Sequence, residues 1–348
     1  MLHMKSLHFI FIASIIALQS NAQWVKQESN TDASFRSVCS VNNKTVWIGG
    51  SKGTFLRTIN GGKTWETTQI KGAETLDFRD VHAFDSKTAI LMSAGEAEQG
   101  NAKFYRTSDG GKSWKIVYQT TQKGIFFDGI DFWDKQNGVA FSDPIDGKFF
   151  IIKTKDGGET WQPVNPTNIP PIQKNEAAFA ASGTSLVTSG LKNAYICTGG
   201  GEFAQIYQTE NRGEDWSVVK TNMPAGKTNG LFGLRFWNDR YGIAVGGDYQ
   251  EITKPVANVL LTSDGGKTWQ EAPQTTPAGL KEGVAIYKQK ILIAVGPSGT
   301  CYSKDFGKSW VEIDKTPLHA ISISGHGIWA VGGKGSVFKL DLKVLNLP

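Results

Sequence analysis

Hydrophobic and polar positions along the chain fall into short runs rich in β-branched and aromatic residues, separated by glycine, asparagine, aspartate and serine clusters, which is the pattern of strands joined by tight turns. The runs come in sets. First strands are expected at 36–41, 79–84, 128–133, 184–189, 232–237, 282–287 and 319–324. Second strands end in glycine-rich corners, such as V-W-I-G-G (46–50), A-Y-I-C-T-G-G (194–200), G-I-A-V-G-G-D (242–248) and I-W-A-V-G-G (328–333). A third strand follows each time, the last being G-S-V-F-K-L (335–340).

Between third and fourth strands one phrase recurs: R-T-I-N-G-G-K-T-W (57–65), R-T-S-D-G-G-K-S-W (106–114), K-T-K-D-G-G-E-T-W (153–161), Q-T-E-N-R-G-E-D-W (208–216), L-T-S-D-G-G-K-T-W (261–269) and Y-S-K-D-F-G-K-S-W (302–310). In each copy Asn60, Asp109, Asp156, Asn211, Asp264 or Asp305 can fold its side chain back onto the backbone, and glycine supplies a positive-φ position. Trp65, Trp114, Trp161, Trp216, Trp269 and Trp310 then open the fourth strands, their indoles available to a neighbouring sheet. The seventh set ends without such a phrase. Trp24, in Q-W-V-K (23–26), keeps the phase of the repeat and is expected to supply the missing strand from the other end of the chain.

Sets of four strands repeating every ~40–50 residues predict an all-β fold, a seven-bladed β-propeller with four-stranded antiparallel blades, its last blade closed by the N-terminal strand. Such closure leaves no open sheet edge between first and last blades. At this point the chain resembles the Asp-box (BNR-repeat) propellers, whose S/T-x-D-x-G-x-T/S-W pattern four of the six copies match closely; those at 208–216 and 302–310 depart from it at some positions.

The N-terminus reads differently. Lys5, an apolar run from Leu7 to Leu18 and small residues before Gln23 make 1–22 a secretory signal peptide, cleaved near Ala22, with the propeller occupying 23–348. The run is shorter than the ~20 residues of a membrane-spanning helix. A monomer with no membrane span is expected, exported to the periplasm or secreted. The net charge of +5 is spread along the chain rather than gathered into a patch, which argues against nucleic acid. Cys39, Cys197 and Cys301, odd in number and far apart, read as small buried core residues.

In propellers the turns joining third and fourth strands share one face, so the repeated Asp and Trp residues read as structural and the opposite, loop-bearing face as functional. Its longest loops are expected at 163–184, 218–232, 94–103 and 247–258. Aligning the first strands places Arg36, Arg79, Asp128, Thr184, Phe232, Glu282 and His319 at one level of the channel mouth, and aligning the second-strand ends adds Glu96, Asp143, Glu202 and Asp248. Converging charges of this kind could orient a polar ligand.

No metal-ligand spacing, nucleophile elbow or phosphate-binding loop is present, and no cofactor or metal is expected. Asp-box propellers include sialidases, but Arg235 falls out of line with Arg36 and Arg79, and the chain does not reproduce the arginine triad. The enzymatic alternative is a glycoside hydrolase of the BNR/sialidase-like superfamily using the mouth carboxylates Asp143 and Asp248. Over essentially the whole of 23–348 the chain is similar to the photosystem II stability/assembly factor-like family of exported propellers, through its T-x-D-G-G-x-T-W turns, its G-I/V-A-V-G-G second strands and its Trp-bearing N-terminal strand. That resemblance implies a non-catalytic scaffold holding a protein, or alternatively a glycan, on its loop face. The family's arginine patch is not reproduced, and a photosynthetic role is not implied.

Overall fold

Second strands such as Val46–Gly50, Ala89–Ala94, Ile291–Gly296 and Gly327–Val331 are buried at every residue, because each lies inside a blade that is packed on both faces. Outermost strands such as Glu66–Gln69 and Lys115–Gln119 are largely exposed. The computed structural model describes residues 23–254, 258–273 and 279–345; the signal-peptide reading falls on 1–22, outside the described residues. Seven four-stranded antiparallel sheets are arranged as blades 1 to 7 in chain order. Their innermost strands are Phe35–Ser40, Asp77–Ala83, Phe127–Phe132, Leu186–Ser189, Asn229–Phe236, Gly283–Tyr287 and Ala320–Ser324.

Blade 7 is completed by Trp24–Lys26, which pairs with Val337–Leu340 in the register Trp24 to Leu340, Val25 to Lys339 and Lys26 to Phe338. Trp24 is buried in a cluster with Ile293, Tyr302, Ile328 and Leu340, so its indole joins blades 6 and 7, and its Nε1 donates to Thr300 Oγ1 at 3.1 Å.

The repeated turn is held by its own side chains. Asp156 Oδ1 accepts from the Thr160 amide at 3.0 Å and the Thr154 hydroxyl at 2.8 Å, while Oδ2 accepts from Thr160 Oγ1 at 2.6 Å. Asn60 reproduces the arrangement, its Nδ2 donating to Thr64 Oγ1 at 2.8 Å. The glycine two residues after the Asp or Asn of each turn, with φ between +74° and +86°, sits against the preceding blade. A Cβ on Gly111 would lie 2.6 Å from the Phe55 ring, one on Gly266 2.8 Å from Tyr195, and one on Gly62 2.3 Å from Trp329, across the closure. The tryptophans follow: Trp114 meets Phe55 edge-on at 5.0 Å, Trp161 meets Phe104 at 5.2 Å and Trp65 meets Trp329 at 5.5 Å. Each turn therefore plugs its blade onto the one before.

Two sequence expectations need correction. The segment 218–232 is not a long loop, since the outermost strand Ser217–Pro224 continues past a register shift and the next strand begins at Asn229. Cys197 and Cys301 are buried, but Cys39 is only half-buried and borders the channel, its Sγ accepting from the Ala83 amide at 3.4 Å.

Truncating a buried indole costs about 3–5 kcal/mol. Trp24→Ala is expected to destabilise the ring on that scale in urea denaturation, whereas Trp24→Phe retains most of the stability. The turns also set an acid limit. Burial tends to raise the carboxyls of Asp156, Asp264 and Asp305, but the hydroxyl and amide bonds outweigh it and hold all three low; Asp109 is drawn down to about 2, first by the Ser113 hydroxyl. Their contribution is complete above the unfolded carboxyl value of about 3.9 and is lost as pH falls through the lower folded values. Replacing all four by Asn should flatten the fall in melting temperature between about pH 4 and 2.

Candidate functional site

One end of the channel opens into a cavity of about 530 Å³ lined by Arg36, Arg79, Phe126, Asp128, Asp143, Ala178–Ala181, Phe232, Tyr249, Ile252, Glu282, Pro297 and His319. Six of the seven residues placed at the mouth by aligning the first strands line it. The backbone supplies the reason. Arg36, Arg79, Asp128 and Phe232 each stand unpaired at a register shift, between Phe35 and Ser37, Phe78 and Asp80, Phe127 and Gly129, and Leu231 and Gly233. A bulge inserts one extra residue and re-aims its side chain, here into the mouth. Glu282 and His319 reach a similar position at the start of blades 6 and 7, their amides donating to the carbonyls of Val295 and Val331, which face the following residues.

Thr184, the seventh, is buried and bonded to Ser182 at 2.7 Å instead of lining the cavity. From the second alignment only Asp143 reaches the cavity. Asp248 lies in a separate cavity with Met223, Asn229 and Lys254, so the hydrolase pair Asp143 and Asp248 is not brought together. Glu96 and Glu202 are exposed on their loops. Arg235 lines another cavity with Ile286 and Ile323, apart from Arg36 and Arg79.

The mouth charges are mostly paired. Glu282, almost fully buried, accepts from His319 Nδ1 at 2.6 Å and lies 3.8 Å from Arg36 Nη1. Arg79 Nε donates to Asp77 Oδ2 at 2.8 Å, and its guanidinium stands over the Phe126 ring at 6.0 Å. Asp128 differs: the residue is 1% exposed and its Oδ2 has no hydrogen-bond partner. Burial, reinforced by Asp143, pushes its carboxyl well above the usual range, and Arg79 offsets only part of this. Asp143 is raised to about 6, again by burial, opposed by one amide from Ala178 at 3.1 Å.

Below the mouth the channel is stitched blade to blade. Asp131 accepts from His82 Nδ1 of blade 2 at 3.1 Å and from the Thr188 amide of blade 4 at 2.8 Å; burial alone would raise its carboxyl, and these partners hold it low. Asp80, buried in blade 2, accepts from the Ile130 amide of blade 3 at 2.9 Å and is raised by burial to about 8.

Loop 163–184 supplies what the repeat alone could not locate. Glu176, 3% exposed, accepts from Thr198 Oγ1 at 2.6 Å, the Gln173 amide at 2.8 Å and Tyr207 OH at 3.2 Å, tying the loop to blade 4. That anchor delivers Phe179 to the cavity, stacked on Phe232 at 4.2 Å and 10°, with Tyr249 edge-on at 6.0 Å. The site thus combines an aromatic wall with charged side chains in one cavity.

No protein-family model matches the chain. Among curated proteins it is similar to the photosystem II assembly lipoprotein Ycf48 of Picosynechococcus sp., 23% identical over 293 residues that cover 72% of this chain and 78% of that protein. Among solved structures, Ycf48 bound to a D1 peptide matches with a TM-score of 0.66 at 19% identity, covering 94% of this chain and 99% of the other. Virginiamycin B lyase from Staphylococcus aureus matches at 0.64 and 14% identity, covering 92% and 98%. At these identities the structural likenesses show the fold alone. Because that fold is common to a protein solved with a peptide and to a lyase, function has to be argued from the mouth.

Proposed function

We propose that the chain is an exported, non-catalytic propeller that holds a protein partner on its loop-bearing mouth face. The observation that carries this reading is the convergence of six first-strand residues, an anchored loop and an aromatic wall on a single cavity. Concave sites with apolar walls and a few convergent polar groups are where ligands bind. The opposite face is occupied by turns whose side chains pack blade against blade. The similarity to an assembly lipoprotein, and the fold match to a homologue of it solved with a peptide, support a polypeptide as the bound species. The turn phrase supports kinship with the Asp-box propellers.

The hydrolase reading has less support. Inverting and retaining glycosidases need two carboxyls facing one scissile bond, and Asp143 and Asp248 line different cavities.

Export rests on the composition of 1–22, and no helix among the described residues is long and apolar enough to cross a membrane. Two outcomes test these readings. Deleting 2–22 should leave the protein in the cytoplasmic fraction, where the full chain fractionates outside it. A photo-crosslinking residue at Tyr249 or Ile252 should capture a protein in the native cell, and one at Lys112 or Lys267 on the turn face should not. Capture only from the turn face, or cleavage of a glycan panel that Asp143→Asn abolishes, would overturn the binding assignment.

A further inference from the structure

Asp128 is a mouth carboxyl with a buried oxygen that the fold leaves without a hydrogen-bond partner. The cations around it are engaged elsewhere, Arg36 with Glu282 and Arg79 with Asp77. His319 also faces Glu282. Asp143, on the adjacent strand, adds a second carboxyl to the same cavity, with one amide bond recorded to it. Burying a carboxyl with an unsatisfied oxygen is costly, and a bulge that aims it into an open cavity makes sense where a ligand completes it.

The rest of the cavity narrows the ligand. It is also lined by the parallel pair Phe179 and Phe232, with Tyr249 edge-on to Phe179. Carboxylates and aromatic rings lining one cavity suit a cation that is planar, stacks on rings and donates several hydrogen bonds in a fixed fork. Among protein side chains that is guanidinium, ahead of the compact, strongly hydrated ammonium of lysine. Resting on the binding reading above, we propose that the mouth cavity takes an arginine side chain of the protein partner, its guanidinium facing Asp128 and Asp143 and its plane against the Phe179–Phe232 wall.

Proton uptake and release follow from the same geometry. With the cavity empty, burial and the neighbouring Asp143 favour the protonated form of Asp128, Arg79 opposing them, with Arg36, Glu282 and His319 also lining the cavity from the surrounding strands. An entering guanidinium favours the ionised form, so the proton leaves to solvent on binding. Affinity therefore rises with pH.

The test is calorimetric titration of the purified chain with acetylated, amidated pentapeptides Ser-Gly-X-Gly-Ser in which X is arginine, its neutral isostere citrulline, lysine or glutamate. The expected result is that the arginine peptide binds about tenfold more tightly than the citrulline peptide, tightens from pH 5 to pH 8 and releases protons. Asp128→Asn should bring arginine down to the citrulline level, and Asp143→Asn, which keeps the Ala178 contact through its amide oxygen, should do so in part. Equal affinity for arginine and citrulline, preference for glutamate, no binding of any peptide at millimolar concentration, or an unchanged ratio in both variants would overturn the proposal. Crosslinking from Tyr249 that persists alongside any of these results would leave the protein-binding face standing and remove only the arginine pocket; loss of mouth-face crosslinking removes both.

Discussion

Everything in this ring depends on the antiparallel pairing of Trp24–Lys26 with Val337–Leu340. The contact joins residues more than three hundred positions apart, so it repays the chain entropy of closing the whole molecule only after the intervening blades have formed. Without it, blade 7 would lack its fourth strand and expose an open edge. Trp24 meets this demand by doing two things at once: it completes the sheet, and it inserts a buried indole between blades 6 and 7. The turn of blade 1 then packs on Trp329 of blade 7, so the closure is made on both the rim and the turn face.

Once the ring is closed, the mouth is a geometric consequence. Innermost strands of successive blades start at one level, and in blades 1, 2, 3 and 5 a bulge at that level projects a side chain into a shared space that Glu282 and His319 of blades 6 and 7 reach without one. The small residues of the second-strand corners permit this. Opposite the bulge at Arg36, a Cβ on Gly49 would lie 2.7 Å from Ser37 Oγ, and at the Phe232 bulge one on Gly246 would lie 1.9 Å from the Gly230 carbonyl. The glycine corners visible in the sequence are thus the counterparts of the bulges rather than merely turns.

The strands, their order and the ring closure were legible in the sequence because the turn chemistry is local and repeats: Asp156 or Asn60 contacts residues two to four positions away, so each copy carries its own proof. The mouth residues were legible for the same reason, as equivalent positions of a repeat. The aromatic wall was not. Phe179 reaches the cavity through a loop that has no counterpart in the other blades, and its anchor, Glu176, bonds to Thr198, just past the strand Asn193–Cys197, and to Tyr207 on the next strand. The partnership of Arg79 with Asp77 and the isolation of Asp128 were equally hidden, since they depend on which bulged side chain faces which. Alignment of the second-strand ends failed for Asp248, which ends its strand paired with Asn229 and lines a different cavity, whereas Asp143 lies within a strand that runs on to Ile145 and lines the mouth.

The division between the two faces has a physical logic. On the turn face the Asp or Asn side chain of each repeat is bonded within its own turn, and the second-position glycines leave no room for a Cβ, so substitution there costs blade packing. At the mouth the bulged residue lies outside the ladder and its side chain projects into space, so its chemistry can change while the backbone that presents it stays the same. Stability selects satisfied pairs in such a place, as at Glu282 with His319 and Asp131 with His82. Asp128 breaks that pattern, since it is buried with one carboxyl oxygen left without a hydrogen-bond partner. In a ring whose other buried carboxylates accept hydrogen bonds from side chains or amides, an exception aimed into the mouth cavity is better explained by what enters the cavity than by anything the fold requires.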